Sequence, residues 1–508
     1  MKKIFYALFV LSVFAISACH KDKKIKPSPG DTTTTTETAL QKIQDSVYLY
    51  AKEDYLWYNQ LPASLTSFNP HRFTDPDEQT ALTNEVDALS QYAINPATGK
   101  PYEYYRYSPG EAKYSFIDNG AVSSELNGVR GDFGFDVGYQ AINDLRIAYV
   151  YPGSPADLAG LKRGYRITSI NSNSSLSYDG GANVNFIINA IHYSNTISLT
   201  ALRPDGSTLA TNTISTSNYT VNPVLKDSVY DAGNGHILGY IVFNSFTSDA
   251  NADPALNAVF TKFANAGVTD VAVDLRYNGG GYVSTAEYID NLLVPAAKSG
   301  GLMYNTYYNS NLQADKDPLL SKLYYIPAGS FSVQNNAVNF NKIGSLNASR
   351  VFFIMTGNTA SASELTVNNL RPQMDVQFVG DTSYGKPVGF FAINIGQYQY
   401  YTPEFYTMNS AGQGGYYNGF APGTANYPGV EDYDDYSKDW GDLSEGLLAH
   451  VWNYLKTGTY SVKGPVIQSL QAQRADFSIY KQKAASLRLS PKKFRGMVYN
   501  RRLLVPRR

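Results

Sequence analysis

Three runs of apolar, β-branched or aromatic residues, each closed by a turn of small and polar residues, constrain most strongly what this chain can fold into. Val271-Ala272-Val273-Asp274-Leu275-Arg276 reads as a buried strand and runs into Asn278-Gly279-Gly280-Gly281. Val351-Phe352-Phe353-Ile354-Met355 leads into Thr359-Ala360-Ser361-Ala362-Ser363-Glu364, and Val376-Gln377-Phe378-Val379 leads into Gly385-Lys386. Before them, Gly239–Phe243 reads as a strand and 253–266 as a helix with Leu256, Val259, Phe260 and Phe263 on its apolar side. Strand–helix–strand order requires crossover connections and an α/β core. Such a core carries its chemistry on turns at strand ends.

Two of these turns hold a nucleophile and a base. A serine hydroxyl is a weak nucleophile near neutral pH, and a partly desolvated lysine amine can activate it without histidine. Ser361 and Lys386 have that relationship in the sequence, with Ser363 as the competing nucleophile. Acyl transfer also needs backbone N–H groups aimed at a developing oxyanion. Consecutive glycines let a chain turn sharply and approach a substrate closely, so the glycine turn is one candidate donor and the amide of Ala362 the other. His71, His192, His236 and His450 are scattered without ligand spacing, although a Ser-His-Asp triad assembles in space and stays open as an alternative. No metal motif is present, and no cofactor is expected. Asp274 and Arg276 read as structural, fixing the glycine turn.

The three motifs, in this order, resemble those of the carboxy-terminal processing peptidases, or tail-specific proteases: an Asp-Leu-Arg-x-Asn-x-Gly-Gly turn, a Ser-Ala-Ser-Glu turn and a Gly-Lys turn. The resemblance is strongest from about Gly239 to Gly389. It implies a multi-domain α/β protein with a crotonase-like (ClpP/crotonase) protease core. It makes Ser361 the nucleophile, Lys386 the general base, and the amides of Gly281 (or Gly280) and Ala362 the oxyanion hole. Many members of that family carry a glutamine four residues after the lysine to orient its amine. Here that position is Phe390, and Glu364, on the serine's helical face, is the expected substitute.

The second recognisable module is 128–221. Gly131-Asp132-Phe133-Gly134-Phe135-Asp136-Val137 is a glycine-containing turn entering a strand. Ser154 would cap a short helix with Pro155 at its first position, and Gly160 would end it. The pattern resembles a PDZ domain. By that resemblance Phe133, Gly134, Phe135, Asp136 and Val137 form the loop that receives a peptide carboxylate. Between tether and PDZ-like module, 37–123 reads as a small helical N-terminal domain. Its helix spans 39–57, and its aromatics are read as core. The catalytic module takes 224–458, with a helix near 447–455 and an irregular stretch over 412–442.

The termini point to export. Lys2-Lys3, a short apolar stretch over 4–16 and Ile16-Ser17-Ala18-Cys19 resemble a lipoprotein signal peptide (1–18), cleaved so that Cys19, the sole cysteine, takes lipid. That implies a lipid-anchored protein at the periplasmic or outer face of a bacterial membrane, with no intramolecular disulfide. Residues 19–36 form a polar, Pro- and Thr-rich tether. Residues 459–508 are basic and read as a solvated terminal segment or an anionic-lipid contact. A formal net charge of −1 argues against nucleic acid as partner. The 42 tyrosines against 5 histidines fit a sheet-rich exported protein, or tyrosines lining a groove for peptide or glycan. The expected function is a serine endopeptidase acting on protein or peptide substrates near their C-terminal tails. The alternatives are a lipid-anchored, weakly active or inactive peptide-binding protein with the protease fold, and a glycan-binding surface protein.

Overall fold

The computed structural model describes residues 37–460, 489, 494–499 and 505–506. The signal, the lipidation cysteine and the tether lie outside the described residues.

A six-stranded sheet forms the centre. It opens with the antiparallel hairpin Val224–Gly233 and His236–Phe243, turned by Asn234 and Gly235 at positive φ. From His236–Phe243 the sheet continues in parallel through Asp270–Asp274, Arg350–Met355, Asp375–Gly380 and Gly429–Glu431. Parallel strands end at the same edge, so the glycine, serine and lysine turns emerge side by side at the carboxyl ends. The last strand falls within the stretch expected to be irregular. It pairs along the edge through Phe378, Val379 and Gly380.

Side-chain alternation divides the sheet between two cores. Ile241, Phe243, Val271, Val273, Val351, Phe353, Met355 and Phe378 face the helices Asp249–Asn265, Val283–Leu293 and Ala362–Leu370. Leu238, Tyr240, Val242, Ala272, Phe352, Ile354 and Val379 face Leu447, Leu448, Val451 and Leu455 of the helix Gly446–Thr457. Strands covered on both faces read as near-continuous apolar runs, which is why they were legible in the sequence. Each such buried aliphatic side chain stabilises the fold by about 1.5–3 kcal/mol relative to exposure.

The PDZ-like module is a five-stranded antiparallel sheet in which Phe135–Ala141 is the edge strand beside Asp144–Val150. The helix Ala182–His192 packs Val184, Ile187 and Ile191 against Phe133, Val137 and Ile147. The N-terminal helix runs over Ala39–Asp54, shorter than expected. Tyr55 leaves it to donate its hydroxyl to buried Glu103 at 2.8 Å. The helical N-terminal region also supplies a strand, Phe116–Asp118, to a small sheet with Tyr398–Tyr401 and Ile393–Ile395 of the catalytic module. That pairing carries the preceding residues, Lys113 and Tyr114, up to the lysine turn. Among the described residues no helix is long and apolar enough to cross a membrane.

Candidate active site

Ser361 sits at the junction between the turn after Arg350–Met355 and the helix Ala362–Leu370, with φ 60° and ψ −106°. A non-glycine residue at positive φ is strained and persists only where its surroundings over-determine it. The strain aims a fully buried hydroxyl: Ser361 Oγ has no hydrogen-bond partner, and the residue is 0 % exposed. Ser363, the competing nucleophile, donates its hydroxyl to Asn278 O at 3.0 Å inside the helix–turn contact.

Glu364 organises the site, though not in the way the sequence led us to expect. Its carboxylate accepts the backbone N–H of Ser361 at 2.9 Å, of Gly385 at 2.8 Å and of Lys386 at 2.8 Å, and the Ser383 hydroxyl at 2.5 Å. One buried side chain thus ties the serine turn to the lysine turn through their backbones. The expected contact to the lysine amine is replaced by these four, because a fully buried carboxylate is stabilised best by several donors at once. Burial nevertheless holds its proton affinity above the usual glutamate range.

Lys386 is also 0 % exposed. Its Nζ donates to Arg495 O at 2.9 Å and Tyr114 O at 3.4 Å and lies 3.8 Å from the centre of the Phe390 ring. Burial pushes the amine well below the usual lysine range. Glu103, Glu404 and Glu364 pull it back, and Lys113 pushes it further down. A neutral amine has two N–H groups and one lone pair. Two carbonyl acceptors therefore match the two N–H groups of a neutral amine, and no hydrogen bond joins Nζ to Ser361 Oγ. Phe390, at the position where an amide side chain was the family expectation, sets an aromatic ring beneath the amine: its bulk excludes water, which favours the neutral form, while its face attracts the ammonium form.

The glycine turn resolves which amide can act. Gly280 N–H is committed to Asn278 Oδ1 at 2.9 Å. Gly281, at φ 141°, belongs to the strand Gly280–Tyr282, where a Cβ would lie 2.0 Å from Phe246 O. A Cβ on Gly280 would meet Ala362 N at 2.9 Å, so the amide following Ser361 lies directly against the glycine turn. Of the two expected glycine donors, Gly281 is the one whose N–H is not spent inside its own turn. Asp274 and Arg276 are structural: Arg276 is buried in a cage of Asp274, Asp434 and Glu445.

Several neighbours had no sequence signal. Lys113 donates to Gly385 O at 3.0 Å, and burial lowers its pKa to about 8. The Tyr114 hydroxyl donates to the same carbonyl at 2.7 Å. Glu103 accepts from Tyr114 N and Ser115 N, and burial raises its pKa. All three come from the N-terminal region, read as core alone. Its Tyr102 and Tyr105, with Tyr384 and Tyr417 of the catalytic module, are among the residues lining a cavity of about 800 Å³ beside the lysine turn. Charged or aromatic residues at isolated sequence positions signal nothing until a tertiary contact gathers them.

In the PDZ-like loop, Phe133, Phe135 and Val137 turn their side chains into that module's own core. Gly134 passes so close to Ser154 that a Cβ would stand 2.1 Å from the serine's own Cβ. Asp136 caps the N–H of Val137 at 2.8 Å. Phe133, Gly134, Phe135 and Asp136 line a cavity of about 410 Å³ together with Arg130, Tyr149 and His192; Val137 does not. Of the basic terminal segment, residues 494–499 depart from the expected solvated state. Phe494–Tyr499 is not a solvated tail; Gly496–Val498 pairs in parallel with Gly280–Tyr282. His71, His236 and His450 each pair with an aspartate, and His192 contacts Leu489 O, all away from Ser361. Among the described residues, no cluster of His, Cys, Asp and Glu could hold a metal.

Residues 237–413 match the profile of peptidase family S41, and residues 146–188 match that of a PDZ domain. No curated protein matches the chain significantly. Among solved structures, the chain is similar to a Bacteroides fragilis NCTC 9343 protein assigned to the S41 proteases, at 22% identity and a TM-score of 0.58. The match covers 82% of this chain and 97% of that one, and it shows the shared fold. The photosystem II D1 C-terminal processing protease aligns at 15% identity and a TM-score of 0.43, covering 81% of this chain and 98% of that one. Mature CPAF aligns at 10% identity and a TM-score of 0.42, covering 89% and 98%.

Proposed function

We propose that this chain, a serine-type peptidase by its family S41 and PDZ matches, cleaves peptide bonds with a Ser361–Lys386 dyad through an acyl-enzyme. Neutral Lys386 takes the Ser361 proton as Oγ attacks a peptide carbonyl. The oxyanion forms against the N–H groups of Gly281 and Ala362. The amine leaves with the proton from Lys386, and water, deprotonated by the same lysine, hydrolyses the ester. The observation that carries this reading is the unpartnered, buried Ser361 hydroxyl in a strained turn, bound through Glu364 to the turn of a desolvated lysine. The PDZ-like module supports a preference for substrate tails, because such modules add an extended peptide to a sheet edge and hold its carboxylate in backbone amides.

Hydrolysis of a denatured protein by the full chain, beside Ser361→Ala and Lys386→Ala, tests the dyad. A loss of at least about 10²-fold in both variants is expected, and near-native turnover by Lys386→Ala would sink it. The ends of the products report any tail preference. The second reading, a peptide-binding protein with a silent site, is favoured by the Lys386 Nζ contacts to Arg495 O and Tyr114 O. Under that reading a fluorophosphonate would leave Ser361 unlabelled. We further propose that the protein is exported and anchored through lipid on Cys19. The mass of the mature N-terminal peptide checks this, and an unmodified Cys19 would exclude it.

A further inference from the structure

The cleft of the site just described is filled by the chain itself. Gly496 N–H donates to Gly279 O at 2.9 Å, and the parallel register pairs Gly280 with Gly496 and Gly281 with Met497. In a parallel ladder with that pairing, the Gly496 carbonyl is the acceptor for Gly281 N–H. A Cβ on Gly280 would stand 2.2 Å from Gly496 O as well as 2.9 Å from Ala362 N. The Gly496 carbonyl and the Ala362 amide therefore both lie against Gly280. On its other edge the segment is held by Phe390, whose N–H donates to Met497 O at 2.9 Å and whose O accepts Tyr499 N–H at 2.8 Å.

The side chains are seated as well as the backbone. Phe494 and Val498, on one face of the extended segment, enter an apolar pocket with Leu126, Phe390 and Tyr401. Met497, on the opposite face, is fully buried in the main core. Arg495 reaches Asn358 Oδ1 at 2.9 Å, and its carbonyl is the 2.9 Å acceptor of Lys386 Nζ. Upstream, Leu489 is buried in the PDZ-like core, with its carbonyl 2.6 Å from His192 Nε2.

We infer that Phe494–Tyr499 is a substrate of this chain's own site, and that Gly496–Met497 is the bond presented to Ser361. This rests on the peptidase reading above. Ser361 Oγ adds to the Gly496 carbonyl carbon while its proton passes to Lys386 Nζ. The Gly496–Met497 C–N bond breaks, and Lys386 returns the proton to the departing Met497 amine. Water then cleaves the Ser361–Gly496 ester with Lys386 as base, restoring the serine and leaving a Gly496 carboxylate. The released peptide begins at Met497. Until it leaves, the cleft is closed to other chains.

The test is C-terminal peptide mapping of the full mature chain during incubation, with hydrolysis of casein measured on the same sample. The expected result is a new terminus at Gly496 in the wild type, with Arg508 retained in Ser361→Ala. Phe494→Ala, which empties one pocket, is expected to slow tail loss at least about tenfold. Met497→Pro, which removes the scissile N–H, is expected to prevent it. An intact Arg508 terminus in a wild-type sample that cleaves casein overturns this inference and leaves the peptidase reading standing. An intact terminus with no cleavage of casein, or of a synthetic peptide spanning residues 489–503, overturns both. A new terminus at any other bond, or the Gly496 terminus appearing also in Ser361→Ala, rejects the proposed register or the proposed agent.

Discussion

Glu364 holds Lys386 by its backbone, accepting the lysine N–H at 2.8 Å on the same oxygen that accepts Ser361 N–H at 2.9 Å. The amine is left to be set by what surrounds it: two carbonyls, an aromatic ring and a dry interior. The carboxylate fixes where the serine and lysine turns stand, and burial lowers the lysine's proton affinity.

Glu364→Ala should therefore fail in both folding and chemistry. It leaves three buried N–H groups without their acceptor, each costing about 1–3 kcal/mol, and it frees the two turns from one another. Thermal unfolding should show a lower midpoint, and peptide hydrolysis should fall by more than the lost folded fraction explains. Unchanged turnover per folded molecule would contradict the positioning role.

The pH profile follows from the depressed Lys386 pKa. Activity should rise with pH as the amine loses its proton, with a midpoint below the ordinary lysine range. The stability sign is also determined. Between the lowered folded value and the ordinary unfolded value, the unfolded chain binds the extra proton, so stability increases with pH across that window. Lys113, with a pKa near 8, adds to it from about 8 upward. Lys386→Met should cut hydrolysis by about 10²–10⁴-fold and remove the Lys386 share of the pH-dependent stability, measured by denaturant unfolding at several pH values.

Phe390 is the floor beneath the amine. Phe390→Ala should open a cavity costing about 3–5 kcal/mol and admit water to Nζ. Better solvation favours the ammonium form, so the activity midpoint should move to higher pH. A profile with an unmoved midpoint would show that the ring does not set the lysine's protonation.

Gly281 leaves no room for a side chain, with Phe246 O 2.0 Å from where a Cβ would stand and φ at 141°. Gly281→Ala should displace the strand Gly280–Tyr282 and abolish hydrolysis even where circular dichroism shows a folded chain. Retained hydrolysis would move the oxyanion site elsewhere.

Arg163, from the PDZ-like module, is buried against the catalytic module, donating to Asp434 Oδ1 at 2.9 Å and the Tyr277 hydroxyl at 2.7 Å. Breaking a buried pair from one side costs about 3–5 kcal/mol because the partner charge stays behind. Arg163→Ala should lower the unfolding midpoint accordingly. If the contact matters only for stability, KM and kcat should stay unchanged once the chain is folded.

Strand periodicity and the small-residue turns were legible because they are local: apolar runs buried on both faces and glycines at positive φ leave their mark in consecutive residues. The same holds for Ser361, Lys386 and the glycine turn as candidates. The placement of Glu364 beneath both turns could not be read, since a glutamate three residues after a serine specifies a helical face and no partner. Glu103, Lys113 and Tyr114 were hidden for a related reason: a strand pairing between distant segments carries them to the lysine turn. The sequence by itself determined the sheet, its turns and the residue types offered for chemistry, because those follow from neighbouring side chains. Only the tertiary structure decided how Lys386 is desolvated, which glycine amide is available and that Phe494–Tyr499 lies in the cleft. Each of these depends on packing between segments far apart in the chain, and no local pattern encodes it.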